Sequence, residues 1–298
     1  MRNFDELLRA SQAAGPKVLA VAAAADEGIL EAVRLAQEQG LCRSILVGDE
    51  GAIRRLAGEV GLDLTPHRVV HEPDPVLAAR QAVSLVRQGE AQLLMKGFLQ
   101  TSDLLRAVLD KEAGLRTGRA LSHVMAVEAA GYDRLLFLTD VAFNVAPDLA
   151  RKAELLVNAI QVCHRLGIRQ PKAAVLAAVE TVNADMPATL DAALLARMAD
   201  RGQIKGALVD GPLALDNAIS PVAARHKGIG GPVAGQADIL LVPDIEAGNM
   251  LYKGMVYFAG SRAAGVVVGA RAPVILLSRA DRPESKLLSI ALGLQLVD

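Results

Sequence analysis

The 298-residue chain reads as an α/β protein with a mostly parallel sheet carried on two lobes, and three observations predict this. Short apolar runs alternate with amphipathic stretches along almost the whole length. The apolar runs are of strand length, and helix-length segments with period 3.6 separate them. One interruption near residues 117–121 breaks the pattern and suggests a boundary between lobes, with a ligand cleft expected there.

The elements follow in order. VLAVA at 18–22, amphipathic DEGILEAVRLAQEQG and SILVG at 44–48 form a strand–helix–strand unit with a parallel pair. Proline and aspartate near 73–75 open the helix VLAARQAVSLVRQG, ahead of the strand QLLM and the helix TSDLLRAVLDKE. In LSHVMAVEAAGYDRLLFLTD, two apolar stretches joined by Gly131-Tyr132-Asp133 predict an antiparallel hairpin. Helix PDLARKAELLVNAIQVCHRLG, strand AAVLAAVE, helix PATLDAALLARMAD and strand IKGALVDG come next. After a glycine-rich loop, strand ADILLVPD and helix EAGNMLYKGMVYFAG lead to strands AGVVVG and PVILLS and a last helix. Repeats and low-complexity segments are absent from the sequence.

Composition excludes several classes. Apolar residues make up 52% and charged residues 22%, the balance of a packed globular protein. Net charge is −1, aromatics are 3% and tryptophan is absent, which argues against a nucleic-acid partner. The opening MRNFDELLRA carries acids and no apolar leader core. No apolar run approaches the ~18–20 residues of a membrane helix, so a soluble cytoplasmic protein without a membrane partner is expected. Cys42 and Cys163 form no C-x-x-C and read as buried apolar residues. His67 and His71 flank two valines with no third ligand nearby, and read as polar histidines rather than metal ligands. The stretch GIGGPVAG, 228–235, leads into a strand, whereas a dinucleotide fingerprint follows a strand and opens a helix.

Charge placed where apolar strands stop marks the candidate site. One strand ends at Lys96-Gly97, and a helix starts near Thr101 or Ser102. Exposed N–H groups and the positive dipole end suit an anion at such a turn. Arg106 lies four residues after Ser102 and shares its helical face. A capped helix with a solvated arginine would account for the same residues. The second cluster, Ser278-Arg279-Ala280-Asp281, follows PVILL, with Pro283 suited to the first turn of the next helix. Arginine's fork of donors matches phosphate oxygens, so Arg106 and Arg279 could converge on one anion.

Four blocks, KGFLQTSDLLRAVLDKEAGLRTG, ALSHVMAVE, PVAGQADILLVPDIEAGNMLYKG and LLSRAD, stand in an order that resembles the phosphate acetyl/butyryl transferase family. KEAGLRTG and SRAD make the chain most similar to the butyryltransferase branch. The resemblance implies acyl-CoA plus phosphate giving acyl phosphate plus coenzyme A, with acetyl-CoA as the alternative donor. It implies a fold similar to isocitrate and isopropylmalate dehydrogenases, with a discontinuous first lobe at 1–117 plus 270–298. The second lobe, 118–269, is implied to dimerise the protein, and no metal or permanently bound cofactor is expected. The family's phosphate-binding arginine falls on Arg106 and its catalytic Ser-Arg pair on Ser278 and Arg279. Acetyl-specific relatives carry a proposed base, an aspartate, where this chain has Ser285, which leaves Asp281, Glu284 or no carboxylate for that role. A thioester is already activated, so the chemistry asks mainly for cations and an oxyanion donor.

Two rival functions share the fold or the ligand. A metal- and NAD-dependent dehydrogenase would need clustered aspartates, whereas Asp210, Asp216 and Asp244 stand in separate blocks. A non-catalytic acyl-CoA binder would not need the intact Arg106, Ser278 and Arg279. Met95, Phe98, Met125, Phe143 and Met255 are candidate linings for an acyl chain, or ordinary core.

Overall fold

The computed structural model describes residues 1–278 and 281–297, so Arg279 lies outside the described residues. The chain forms two compact units. The first holds Phe4–Arg119 together with the chain from Ala264 onward, and the second holds Met1–Asn3 and Ala120–Ala263.

The first unit begins with α1 (Phe4–Ala13), β1 (Lys17–Ala22), α2 (Glu27–Glu38), β2 (Cys42–Gly48), α3 (Glu50–Val60) and β3 (Arg68–His71). It continues with α4 (Pro75–Arg87), β4 (Leu93–Lys96) and α5 (Thr101–Val108). Aspartates set the helix starts. Asp26 accepts from the Ile29 N–H, and Asp74 accepts from Val76 and Leu77 with Pro75 in the first turn. On α2 the buried Ile29, Leu30, Ala32, Val33 and Ala36 lie along one stripe, which faces the sheet. Helix α5 stops well short of the predicted DKE. There the Asp110 carboxylate accepts from the N–H groups of Glu112 and Ala113, and Leu115 N–H turns back to the Val108 carbonyl.

The second unit comprises β5 (Ser122–Glu128), β6 (Leu136–Thr139), α6 (Leu149–Arg165), β7 (Lys172–Leu176), α7 (Pro187–Asp200) and β8 (Leu208–Leu213). Then come α8 (Leu215–Ile219), α9 (Pro221–His226), β9 (Ile239–Leu241) and α10 (Ile245–Lys253), which passes into a π turn over Gly254–Phe258. Its strand order is β5-β6-β9-β7-β8. The predicted hairpin is present: β5 and β6 are antiparallel, with Met125 opposite Leu138, while β6-β9-β7-β8 are parallel. Met125, Val127, Leu136, Leu138 and Leu240 belong to its core.

The chain returns to the first unit through β10 (Arg262–Val268), β11 (Val274–Ile275) and α11 (Pro283–Leu294). The strand order there is β3-β2-β1-β4-β11-β10, parallel except for the β10–β11 pair. Strands β2 and β3 build outward on one side of β1, and β4 lies on the other. This reversal of direction is where open α/β sheets bind ligands, at the carboxyl ends of the strands. The predicted strand PVILLS pairs over only two residues. Its neighbour β4 ends at Lys96, and the next residues turn away toward β1, so the β4–β11 ladder stops at Ile275.

Candidate functional site

The carboxyl ends of β1, β4 and β11 meet at a narrow recess lined by Asp26, Ile29, Met95, Lys96, Gly97, Leu277, Ser278 and Lys286. Backbone packing shapes it. Gly97 N–H donates to the Ala22 carbonyl at 2.8 Å and Phe98 N–H to the Ala23 carbonyl at 2.7 Å. A Cβ on Gly97 would clash with both of those carbonyl oxygens, so only glycine fits this approach. Ala23 itself takes φ 54°, a left-handed conformation that costs a residue with a Cβ. The bend lets the residues after β4 cross the end of β1 beside the recess.

Lys96 is buried, and its ammonium donates to the carbonyls of Gly97 and Leu99, both at 3.2 Å. Ser278 is exposed and is tied to Asp281 by two hydrogen bonds. Its N–H donates to Asp281 Oδ2 at 2.8 Å, and the Asp281 N–H donates back to the Ser278 carbonyl at 3.1 Å. Asp281 thereby holds the backbone of the serine on both its N–H and its carbonyl. Lys286, from the first turns of α11, donates from Nζ to the Asp281 carbonyl at 2.6 Å.

Of the residues singled out by sequence, Lys96, Gly97 and Ser278 line the recess, and Asp281 braces it. Thr101, Ser102 and Arg106 do not line it. Thr101 opens α5, whose N-cap Gln100 makes no side-chain capping bond, and Ser102 is exposed in the first turn. The Arg106 side chain is 69% exposed and pairs with Asp103 at 2.9 Å on its own helix. Sequence reasoning missed Asp26 and Lys286. Asp26 reads locally as a helix cap, which it also is. Lys286 left one usable signal, a lone cation ahead of the apolar LLSIALGL in a helix with Leu287, Leu288 and Ile290 buried.

The remaining candidates separate in the same way. Met95 lines the recess, Phe98 is half exposed, Met125 belongs to the second unit's core and Met255 packs against it. Phe143 borders an open depression of about 550 Å3 within the second unit, beside Asn144, Arg151 and Glu154. Beneath that loop, buried Asp140 accepts from the N–H groups of His123, Ala142 and Phe143 and from the Asn144 amide. Burial pushes the Cys42 thiol up to about 12 and the Cys163 thiol well above its ordinary value, so both stay protonated. His67 Nδ1 accepts from Ser44 N–H and His71 Nδ1 from Glu50 N–H. Among the described residues no group of three acidic, histidine or cysteine side chains could hold a metal. Nor is any described helix long and apolar enough to cross a membrane.

A parallel α/β unit that gathers two ammonium groups and a hydroxyl at its switch point has the build of an enzyme that handles a small anion. The family model described as Phosphate acetyl/butaryl transferase matches residues 68–294. The phosphate butyryltransferase of Clostridium acetobutylicum is 50% identical over 293 residues, 98% of this chain and 97% of that protein. A phosphate acetyltransferase of Rhizobium meliloti is 47% identical over 291 residues, 98% of this chain and 92% of that one. Among solved structures, a branched-chain phosphotransacylase from Enterococcus faecalis V583 superposes with TM-score 0.84 at 36% identity, covering 94% of this chain and 98% of that one. The chain therefore belongs to the phosphate acetyl/butyryl transferase family, as its four ordered blocks predict.

Proposed function

We propose that this protein transfers a short-chain acyl group from coenzyme A to inorganic phosphate, with butyryl-CoA preferred over acetyl-CoA. The observation that carries the reading is the convergence of Lys96 and Gly97, at the end of β4, with Ser278, beyond the end of β11. A phosphate oxygen attacks the thioester carbonyl carbon, the tetrahedral intermediate collapses, the C–S bond breaks and coenzyme A leaves as thiolate. Both reactants are anionic, so holding them together and stabilising the oxyanion is the main demand. In this reading Arg106 and Arg279 grip phosphate, beside the N-terminal turn at Thr101 and Ser102. Ser278 donates to the oxyanion or to the departing sulfur. The bond from Ser278 N–H to Asp281 favours a turn-holding role for that carboxylate, and Glu284 is the other candidate for moving a proton. The residues at hand fit a reaction needing no metal or permanently bound cofactor. A homodimer formed through 118–269, a first lobe at 1–117 plus 270–298 and a cytoplasmic location belong to the same proposal.

The butyryl preference rests on KEAGLRTG and on Ser285, because overall identity to butyryl- and acetyltransferases is nearly equal. One methylene in an apolar pocket discriminates about 10- to 200-fold. Thioester absorbance followed with acyl-CoA donors of increasing chain length, with and without phosphate, tests both parts. Phosphate-dependent loss with no donor rules out the transferase. A higher kcat/KM for acetyl-CoA rules out the preference. Ser278→Ala should lower kcat by about 100- to 1000-fold if the hydroxyl serves the oxyanion.

A further inference from the structure

Lys286 is 4% exposed, yet among the described residues its ammonium makes one hydrogen bond, to the Asp281 carbonyl, and no ion pair. An ammonium has three donors, and burying its charge without a counter-ion is unfavourable. Asp26 shares the recess but spends its Oδ1 on the Ile29 N–H as the cap of α2, beyond ion-pair range of Lys286. Lys96, also buried, lines the same recess and donates to backbone carbonyls. Lys286 therefore brings a buried ammonium with spare donors to the recess beside Ser278, and those donors call for an acceptor from outside the chain.

We infer that Lys286 is a phosphate-binding residue of the acyl-transfer site, holding the Ser278–Asp281 turn with one N–H and offering the others to a phosphate oxygen. The inference rests on the transferase reading above. The recess has room for about one water-sized group, so it takes a single phosphate oxygen at Lys286 while the rest of the anion stays outside, and lysine serves phosphate as a point charge. The phosphates of coenzyme A sit on an extended molecule and have less claim on this position. The Asp281 contact ties phosphate binding to the placement of the serine, since one ammonium touches both.

Steady-state kinetics of Lys286→Met and Lys286→Arg, with inorganic phosphate and acyl-CoA varied separately, test this. Loss of a charge-assisted contact should raise the phosphate KM of Lys286→Met about 10- to 100-fold. The acyl-CoA KM should stay within about twofold, and arginine should restore part of the phosphate affinity. An unchanged phosphate KM with a fallen kcat would reduce Lys286 to a brace for the turn and overturn the inference. Should Lys286→Met fail to fold, Lys286→Gln and a crystal of the wild-type protein grown with inorganic phosphate decide the matter. Phosphate within hydrogen-bond distance of Nζ is expected, and phosphate bound away from Lys286 overturns it. If the wild-type protein consumes no acyl-CoA with phosphate, the transferase reading fails, while calorimetry of phosphate binding to wild type and variant still judges Lys286.

Discussion

Each unit buries a charge, and the two are handled in opposite ways. Asp140, 2% exposed in the second unit, is surrounded by four donors, three from the backbone and one from Asn144. Lys286 in the first unit has a single carbonyl. A carboxylate satisfied on all sides stabilises the loop around it and has nothing left to offer a ligand. An ammonium with spare donors stabilises its surroundings poorly and is available to bind. Saturation of hydrogen bonds, rather than burial, separates the structural charge from the functional one.

The contrast is sharpest under mutation. Asp140→Ala should cost about 3–5 kcal/mol of stability, because four buried donors lose their acceptor together. Urea unfolding measures this, and a loss below about 1 kcal/mol would erase the distinction between the two regions. Gly97→Ala should come next. Its methyl meets the Ala22 and Ala23 carbonyls, and overpacking of that kind costs about 1–3 kcal/mol and displaces Lys96 from the recess. Parallel unfolding and activity measurements should show both losses, since backbone packing holds the recess in shape.

Lys286→Met should change stability by about 1 kcal/mol or less, as relief of a desolvated charge offsets one lost hydrogen bond. A loss as large as that of Asp140→Ala would mark Lys286 as structural. The smallest effect is expected at His67, which meets burial a third way, by shedding its charge. Burial lowers its pKa, with Asp63 opposing, and Nδ1 accepts from Ser44 N–H, which requires the neutral ring. The unfolded state then binds more protons between the lowered folded value and about 6.5, so stability rises with pH across that window. His67 contributes fully above about pH 6.5 and loses its contribution as pH falls. Unfolding of wild type and His67→Gln at pH 7.5 and 5.5 should show a shallower pH dependence in the variant.

The strands and helices legible in the sequence were those with strong local signals. Strand β1 and helices α2, α4 and α6 announce themselves through apolar runs, 3.6-residue stripes and aspartate or proline at their starts. Helix α3 and strand β3 escaped notice. Only Ile53 and Ala57 of α3 are buried, and β3 has two half-covered valines between exposed ends. Of the site, Lys96, Gly97 and Ser278 could be read because each stands where an apolar run stops, and a strand's carboxyl end is a sequence position. Four ordered motifs likewise determined the family. Tertiary structure alone decided that Asp26 and Lys286 join those residues, that Met95 rather than Met125 or Phe143 faces the recess, and that Arg106 pairs with Asp103 on an exposed face. The reason is physical. Periodicity and capping depend on neighbours a few residues away, whereas the solvation of an ammonium depends on what covers it. For Lys286 that cover comes from α2 and the end of β4, which lie far from it along the chain.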